Sequence, residues 1–172
     1  MIHVDDVNAK PAPSAALELT LPGEAATLAL GGRLAAGLRP GLVIWLSGDL
    51  GAGKTTLVRG LLRALHFQGR VKSPTFALVE IYEFSSFNLY HFDLYRFVDP
   101  DEWEDAGLRD YFNPGSVCLV EWPEKGRGVL PAADLRIRLD FSDGHRVARL
   151  IGETEAGQTC IATLDTTDFP AP

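Results

Sequence analysis

The 172-residue sequence has few cysteines and no excess of basic residues. Its two cysteines, Cys118 and Cys160, lie in different settings and are not expected to form a disulfide framework. Cys118 lies in the apolar run VCLV, so we interpret it as a small buried hydrophobic residue. The formal net charge of -7 argues against the phosphate attraction that a free-standing nucleic-acid-binding protein needs. Contact with nucleic acid is therefore expected only through a partner.

The sequence also lacks the features of a membrane or secreted protein. No stretch approaches the ~18 uninterrupted apolar residues of a membrane span. The first ten residues, MIHVDDVNAK, lack the pattern of a secretory signal peptide, in which a basic segment, an apolar segment and a cleavage site follow one another. The four histidines are scattered without metal-ligand spacing, so none is predicted to bind a metal. We expect a cytoplasmic protein.

What the sequence does have is the stretch SGDLGAGKTT, which follows the apolar run LVIWL. Gly48, Gly53, Lys54 and Thr55 match the phosphate-binding pattern G-x-x-x-x-G-K-[ST], with Gly51 between them. The preceding run predicts a strand covered on both faces. The residues after the loop repeat apolar side chains at helical spacing from 54 to 65. Strand, glycine loop and helix therefore occur in the order that a P-loop requires.

This motif predicts a nucleotide site with a defined division of roles. Backbone N–H groups of the loop would converge on phosphate oxygens. Lys54 would reach the β and γ phosphates, and the Thr55 hydroxyl would coordinate Mg²⁺. Hydrolysis also needs acidic groups, and Asp93 and Glu121 each close an apolar strand candidate. Either acid could instead be a helix cap or a surface ion-pair partner.

The segment VKSPTFALVE lies between the P-loop helix and the Asp93 strand. Pro74 restricts Ser73 to extended geometry. Thr75 offers a hydroxyl that could approach the γ phosphate or the metal, as in a switch loop. A plain transition from loop to strand explains the same residues, so both interpretations stay open.

The remaining patterns complete a fold prediction. We expect strands at 17–21, 76–82, 89–93 and 117–120 and helices at 24–37 and 99–111. The first helix is predicted to place Ala25, Leu28, Ala35 and Leu38 near one face. Alternation at 135–142, an Asp-Gly turn and a returning strand at 147–151 predict a β-hairpin. Four arginines form a basic cluster on this hairpin. Such a cluster is usually a solvated face of a sheet; the alternative is a surface that binds phosphate or a partner.

Together these elements predict an α/β, P-loop NTPase-like three-layer sandwich with a mostly parallel central sheet and an antiparallel C-terminal β-hairpin. The length and the 46% hydrophobic content predict a single P-loop ATPase domain over 1–172. Residues 1–14 and 153–172 have little periodicity and are expected to be loose.

Four motifs in this order, GDLGAGKTT, VKSPTFALVE, YHFDLYR and VCLVEWPEKG, closely resemble the bacterial TsaE family over residues 19–151. That family comprises P-loop ATPases needed for threonylcarbamoyladenosine modification of tRNA. The resemblance implies slow ATP hydrolysis that depends on the proteins TsaD and TsaB. Those two proteins transfer the threonylcarbamoyl group to the adenosine next to the anticodon. Contact with tRNA is then indirect, through that complex, and no membrane is involved.

The resemblance also implies roles for individual residues. Lys54, Asp93 and Glu121 would be catalytic, with Asp93 positioning water or metal. Mg²⁺ would be held by Thr55, Glu121 and Asp93. The expected ATP/ADP-binding residues are Gly48, Gly51, Ala52, Gly53, Lys54, Thr55, Thr56, Thr27, Thr75, Trp122 and Arg146.

Three other functions fit parts of the sequence. A small-molecule kinase can use the same P-loop, but no arginine-rich lid insertion occurs between 69 and 120. A GTPase is disfavoured because the N-K-x-D motif is absent. A non-catalytic, nucleotide-gated interaction module would need the P-loop but not the acids.

Overall fold

Seven strands of the described chain form one mixed sheet between two layers of helices. The computed structural model describes residues 15–74 and 76–170, so the predicted N-terminal arm at 1–14 and Thr75 lie outside the described residues. The strands are β1 (Ala15–Leu21), β2 (Val43–Ser47), β3 (Val79–Glu83), β4 (Asn88–Asp93), β5 (Ser116–Glu121), β6 (Leu135–Ser142) and β7 (His145–Gly152). The helices are α1 (Glu24–Leu34), α2 (Lys54–Ala64), α3 (Pro100–Asp105) and α4 (Glu155–Ala162).

The sheet has the order β1-β7-β6-β2-β5-β4-β3. Its four central strands, β6, β2, β5 and β4, are parallel, whereas β1, β7 and β3 pair antiparallel at the flanks. Every residue of β5 is buried, as expected for a central strand of a parallel sheet. The predicted hairpin is confirmed, with β6 and β7 joined at Asp143-Gly144. These features confirm the predicted fold class.

Two apolar cores cover opposite faces of the sheet, as strand alternation requires. The larger core joins α1 and α2 to the sheet through residues such as Leu30, Leu57 and Leu119. The smaller core packs Trp103 of α3 against Phe92 and neighbouring residues. A capping box between Asp99 and Glu102 starts α3. Among the described residues, no helix has the length and hydropathy needed to cross a membrane.

Glycines let helices α1 and α2 pack backbone to backbone. A Cβ atom on Gly31 would lie 2.0 Å from the carbonyl oxygen of Leu57, and one on Gly60 would lie 2.1 Å from that of Leu28. Because of this contact, the buried residues of α1 are Thr27, Leu30, Gly31 and Leu34. The predicted apolar face was wrong at Ala25, which is exposed, whereas Leu38 is buried in the larger core and Ala35 packs against it.

The prediction of a loose tail over 153–172 was also wrong for the described part, 153–170. Helix α4 lies there, and the Thr154 hydroxyl accepts a hydrogen bond from Gly157 N–H at its start. Cys160, Leu164 and Phe169 are buried in the larger core. The tail continues to β1, where Thr20 N–H donates to the Pro170 carbonyl. The polar composition concealed these widely spaced apolar contacts.

The bounds of several predicted elements differ from those in the structure, and two of the differences have a clear local cause. Strand β3 begins at Val79, not at 76, and the side chain of Phe76 is exposed. The helix predicted over 99–111 is divided into α3 and a 3₁₀ turn at Leu108–Tyr111. Gly107 lies between them with a positive φ of 64°, which ends the regular helix.

The contact between α1 and α2 makes a prediction with an internal control. Gly31→Ala should lower the free energy of unfolding by about 1–3 kcal/mol, because its Cβ has no room beside the α2 backbone. Gly32→Ala should stabilise the protein by up to ~1 kcal/mol, since the new Cβ atom would lie 3.7 Å from its nearest neighbour, the carbonyl oxygen of Gly60. Urea unfolding of both variants tests this. Equal effects would contradict the packing described here.

Candidate functional site

The P-loop spans residues 48–53, from the end of β2 to the start of α2. Gly48, Gly51 and Gly53 all have positive φ angles. At Gly53, with φ 106°, a Cβ atom would also lie 3.1 Å from Arg146 Nε. A larger residue would therefore disturb both the turn and the neighbouring arginine.

Lys54 is the first residue of α2, and its side chain folds back over the loop. Its Nζ donates hydrogen bonds to the carbonyl oxygens of Gly48 and Asp49, the latter at 3.1 Å. The ammonium also lies 4.3 Å from the centre of the Trp122 ring, a cation–π contact. Burial lowers the pKa of Lys54, an effect that the nearby Glu121 and Asp93 carboxylates oppose. The lysine is thus held between the loop and the acids.

Asp93 and Glu121 lie side by side at the carboxyl ends of β4 and β5, where they are register partners. Both side chains are buried. The Ser73 hydroxyl donates toward Asp93 Oδ2 and lies 3.1 Å from Glu121 Oε2. The Thr55 hydroxyl donates to Glu121 Oε1 at 3.2 Å. Two carboxylates and two hydroxyls therefore form one cluster of oxygens beside the loop.

The pKa of Glu121 is lowered despite its burial, which by itself opposes ionisation. His91, Lys54 and the Ser73 hydroxyl together outweigh burial and favour the carboxylate. His91 Nε2 lies 3.6 Å from Glu121 Oε1, and both side chains are almost fully buried. Asp93 is fixed separately, because its Oδ1 accepts a hydrogen bond from Tyr95 N–H at 2.9 Å.

A cavity of about 330 Å³ opens above these groups, within the usual size range of small-molecule sites. Ten of the predicted site residues line it: Gly51, Ala52, Gly53, Lys54, Thr55, Thr56, Asp93, Glu121, Trp122 and Arg146. Gly48 and Thr27 do not line it. Gly48 packs against β6, and Thr27 lies fully buried behind Gly53.

Sequence reasoning missed three other residues of the cavity wall, namely Ser73, Tyr95 and Leu50. It assigned the switch-loop hydroxyl to Thr75, which lies outside the described residues, whereas Ser73 reaches the carboxylates. The restriction that Pro74 places on Ser73 was the available signal. Tyr95 packs on Trp122 with ring centroids 5.0 Å apart, a contact across two loops with no local sequence signal.

The hairpin arginines separate into two groups. Arg136, Arg138 and Arg149 form exposed ion pairs with Glu153, Asp140 and Glu18, respectively. These three belong to a solvated sheet face, where such pairs contribute little. Arg146 differs because it lines the cavity. Its Nε is buried and has no hydrogen-bond partner among the described residues.

The donor set fits a nucleotide with a hard divalent cation. Mg²⁺ is usually held by one or two carboxylates together with substrate phosphates, and Thr55, Asp93 and Glu121 supply such oxygens. A single Ser73 hydroxyl has one proton and cannot satisfy both carboxylates fully. Within 15–74 and 76–170, no group of three or more His, Cys, Asp or Glu residues forms a self-sufficient metal site. Any metal here would share its coordination with a ligand.

The fold and the cavity define an α/β nucleotide-binding protein with a P-loop-like fold. The family model for threonylcarbamoyl adenosine biosynthesis protein TsaE matches residues 21–162. The chain belongs to the TsaE family.

Relatives with solved or curated descriptions agree with this assignment. The TsaE protein of Haemophilus influenzae is 51% identical over 123 residues, which is 72% of this chain and 78% of the relative. That of Bacillus subtilis is 44% identical over 111 residues, 64% of this chain and 69% of the relative. The crystal structure of Bacillus subtilis YdiB aligns with a TM-score of 0.75 and 30% identity, covering 88% of this chain and 95% of that chain.

The lowered pKa of Glu121 predicts a pH dependence of stability. Below the ordinary value of 4.5, the unfolded chain binds a proton that the folded protein still excludes. Stability is therefore full above that value and falls as the pH drops through the folded pKa. Glu121→Gln should reduce the slope of the unfolding free energy against pH by up to about 1.4 kcal/mol per pH unit.

Urea unfolding at several pH values between 3 and 7, chosen as roughly the range of carboxyl titration, measures the slope. Glu83→Gln, on an exposed side chain, is the matched control and should leave it nearly unchanged. Parallel pH profiles for the parent and Glu121→Gln would show that the cluster does not favour the ionised carboxylate.

Proposed function

We propose that this protein binds and hydrolyses ATP with Mg²⁺ as an accessory protein of tRNA threonylcarbamoyladenosine modification, acting with TsaD and TsaB. The observation that carries the proposal is the cluster of Lys54, Thr55, Ser73, Asp93 and Glu121 in one cavity. Family membership supports the biological role, because the matching family is described by threonylcarbamoyl adenosine biosynthesis.

The phosphates are assigned to the P-loop. Its backbone amides and the start of α2 offer N–H groups and a positive helix end. Lys54 supplies the only ammonium among the described residues that line the cavity. Its present acceptors are carbonyl oxygens of the same loop, so it can exchange these for phosphate oxygens without leaving its place. Thr56 and Arg146 border the same space.

The acids are assigned to the reaction centre. Thr55 and Glu121 would hold Mg²⁺, with Asp93 next to them, and the bound ion would neutralise charge on the phosphates. Asp93 has a second role available, since its carboxylate can accept a hydrogen bond from the attacking water and orient it. The Tyr95 N–H bond fixes the direction of that carboxylate.

A partner requirement is consistent with the surface and the charge. Leu50, Phe76, Tyr95 and Val98 are exposed apolar residues, and two of them line the cavity. The net charge of -7 makes direct binding to tRNA unfavourable. We therefore assign tRNA contact to the TsaD and TsaB complex.

Lys54→Ala should weaken ATP binding at least tenfold, because a charged hydrogen bond to phosphate is worth about 1.5–3 kcal/mol. Equilibrium titration with ATP and GTP measures this. Lys125→Ala, an exposed lysine outside the cavity, is the control and should bind ATP like the parent. Undiminished binding by Lys54→Ala would contradict the site assignment, and equal binding of GTP by the parent would contradict the assignment of ATP as the nucleotide.

Asp93→Asn should keep nucleotide binding but lose most of the ATP hydrolysis measured with TsaD, TsaB and tRNA present. The amide cannot accept the water proton or hold charge as a carboxylate does, and loss of a general-base group typically costs about 10²–10⁴-fold. Asp101→Asn, on an exposed residue of α3, is the control.

The same assay separates the alternative functions. Partner-stimulated turnover that survives Asp93→Asn would favour a nucleotide-gated interaction module. Phosphorylated product formed from an added nucleoside or sugar would favour a kinase. Either result would overturn the proposal that ATP hydrolysis dependent on Asp93 is the function of this protein.

A further inference from the structure

His91 is a buried polar residue that the proposed reaction does not use. It lies on β4, two residues before Asp93 and on the same face of the strand. Its side chain is 0% exposed, and it does not line the cavity. Neither ring nitrogen has a hydrogen-bond partner within the described residues. Such a buried, unpaired group costs free energy and calls for a physical explanation.

The neighbour of His91 provides that explanation. Nε2 lies 3.6 Å from Glu121 Oε1, a few tenths of an ångström beyond a normal N–H···O hydrogen bond. The other two contacts of the Glu121 carboxylate come from Thr55 and Ser73. Both of those residues line the cavity, whereas His91 approaches from the sheet. The contact between His91 and Glu121 can therefore remain when a ligand occupies the cavity and replaces the contacts of Thr55 and Ser73.

We propose that His91 is a positioning residue, whose imidazole donates its Nε2–H to Glu121 Oε1 and aims that carboxylate into the cavity. The inference rests on the proposed binding of Mg²⁺ at Glu121. A fixed carboxylate loses less freedom when it takes a cation, and outer partners of this kind typically change metal affinity about 10–100-fold. The contact needs only a small shift of the Glu121 side chain.

Two substitutions separate positioning from core packing. His91→Phe keeps a planar ring of similar size but removes the donor. His91→Gln keeps an N–H group at a similar distance from the backbone. In the ADP-bound protein, His91→Phe should weaken Mg²⁺ binding at least about tenfold, and His91→Gln should stay within about threefold of the parent. ADP affinity without metal should be the same in all three proteins, because His91 does not line the cavity.

Calorimetric titration of Mg²⁺ into the ADP complex is the measurement, repeated with Mn²⁺ by electron paramagnetic resonance. Equal metal affinity in the parent and His91→Phe would overturn the inference and leave the proposed function intact. If the parent itself binds neither cation in the presence of ADP, the result contradicts the proposed Mg²⁺-dependent function, and with it the role of His91.

A second measurement does not depend on the folding of His91→Phe. Long-range ¹⁵N NMR of the parent reports the protonated nitrogen of each of the four histidines, and His91→Gln identifies the signal of His91. The proposal requires the Nε2–H form, with a shift of that signal in Glu121→Gln. An Nδ1–H form, or a signal insensitive to Glu121→Gln, would overturn it.

Discussion

The parallel pairing of β4 with β5, next to β2, is the constraint on which the site depends. In parallel strands the carboxyl ends meet at one edge, so the register that pairs Asp93 with Glu121 also sets both acids beside the P-loop after β2. Slipping either strand by one residue would turn its acid to the opposite face. The two apolar cores hold that register, because β4 and β5 each contribute buried residues to both cores.

The site itself gathers groups that cost stability. A lysine and two carboxylates are buried together, and Trp122 follows Glu121 with a positive φ of 57°, which is unusual for a bulky residue. That turn carries the indole over the Lys54 ammonium and lets the chain leave the sheet directly after the acid. Local strain of this kind is tolerated where the surrounding fold determines it, and it is concentrated at functional sites. The opposite charges partly compensate each other, as the lowered pKa of Glu121 indicates.

Much of this arrangement could be predicted from the sequence because it has local signals. The glycine pattern around Lys54, the bare apolar strands and the Asp-Gly hairpin turn each depend on a few adjacent residues. The failures have a common cause in tertiary contacts. The missed contacts all join segments that are distant in the chain, and no periodicity in the sequence predicts them. They are the burial of Cys160 and Phe169, the glycine contact of α1 with α2, and the hydrogen bonds of the Ser73 hydroxyl. Thr27 and Gly48, which are predicted nucleotide-binding residues, do not line the cavity.

The most direct test of the account is a crystal structure of the protein with Mg²⁺ and a non-hydrolysable ATP analogue. We expect the terminal phosphates against Lys54 and the P-loop amides, and the cation within about 2.1 Å of the Thr55 hydroxyl, with carboxylate ligation from the Asp93 and Glu121 pair. A nucleotide bound outside this cavity, or a cation that contacts neither carboxylate directly or through water, would contradict it.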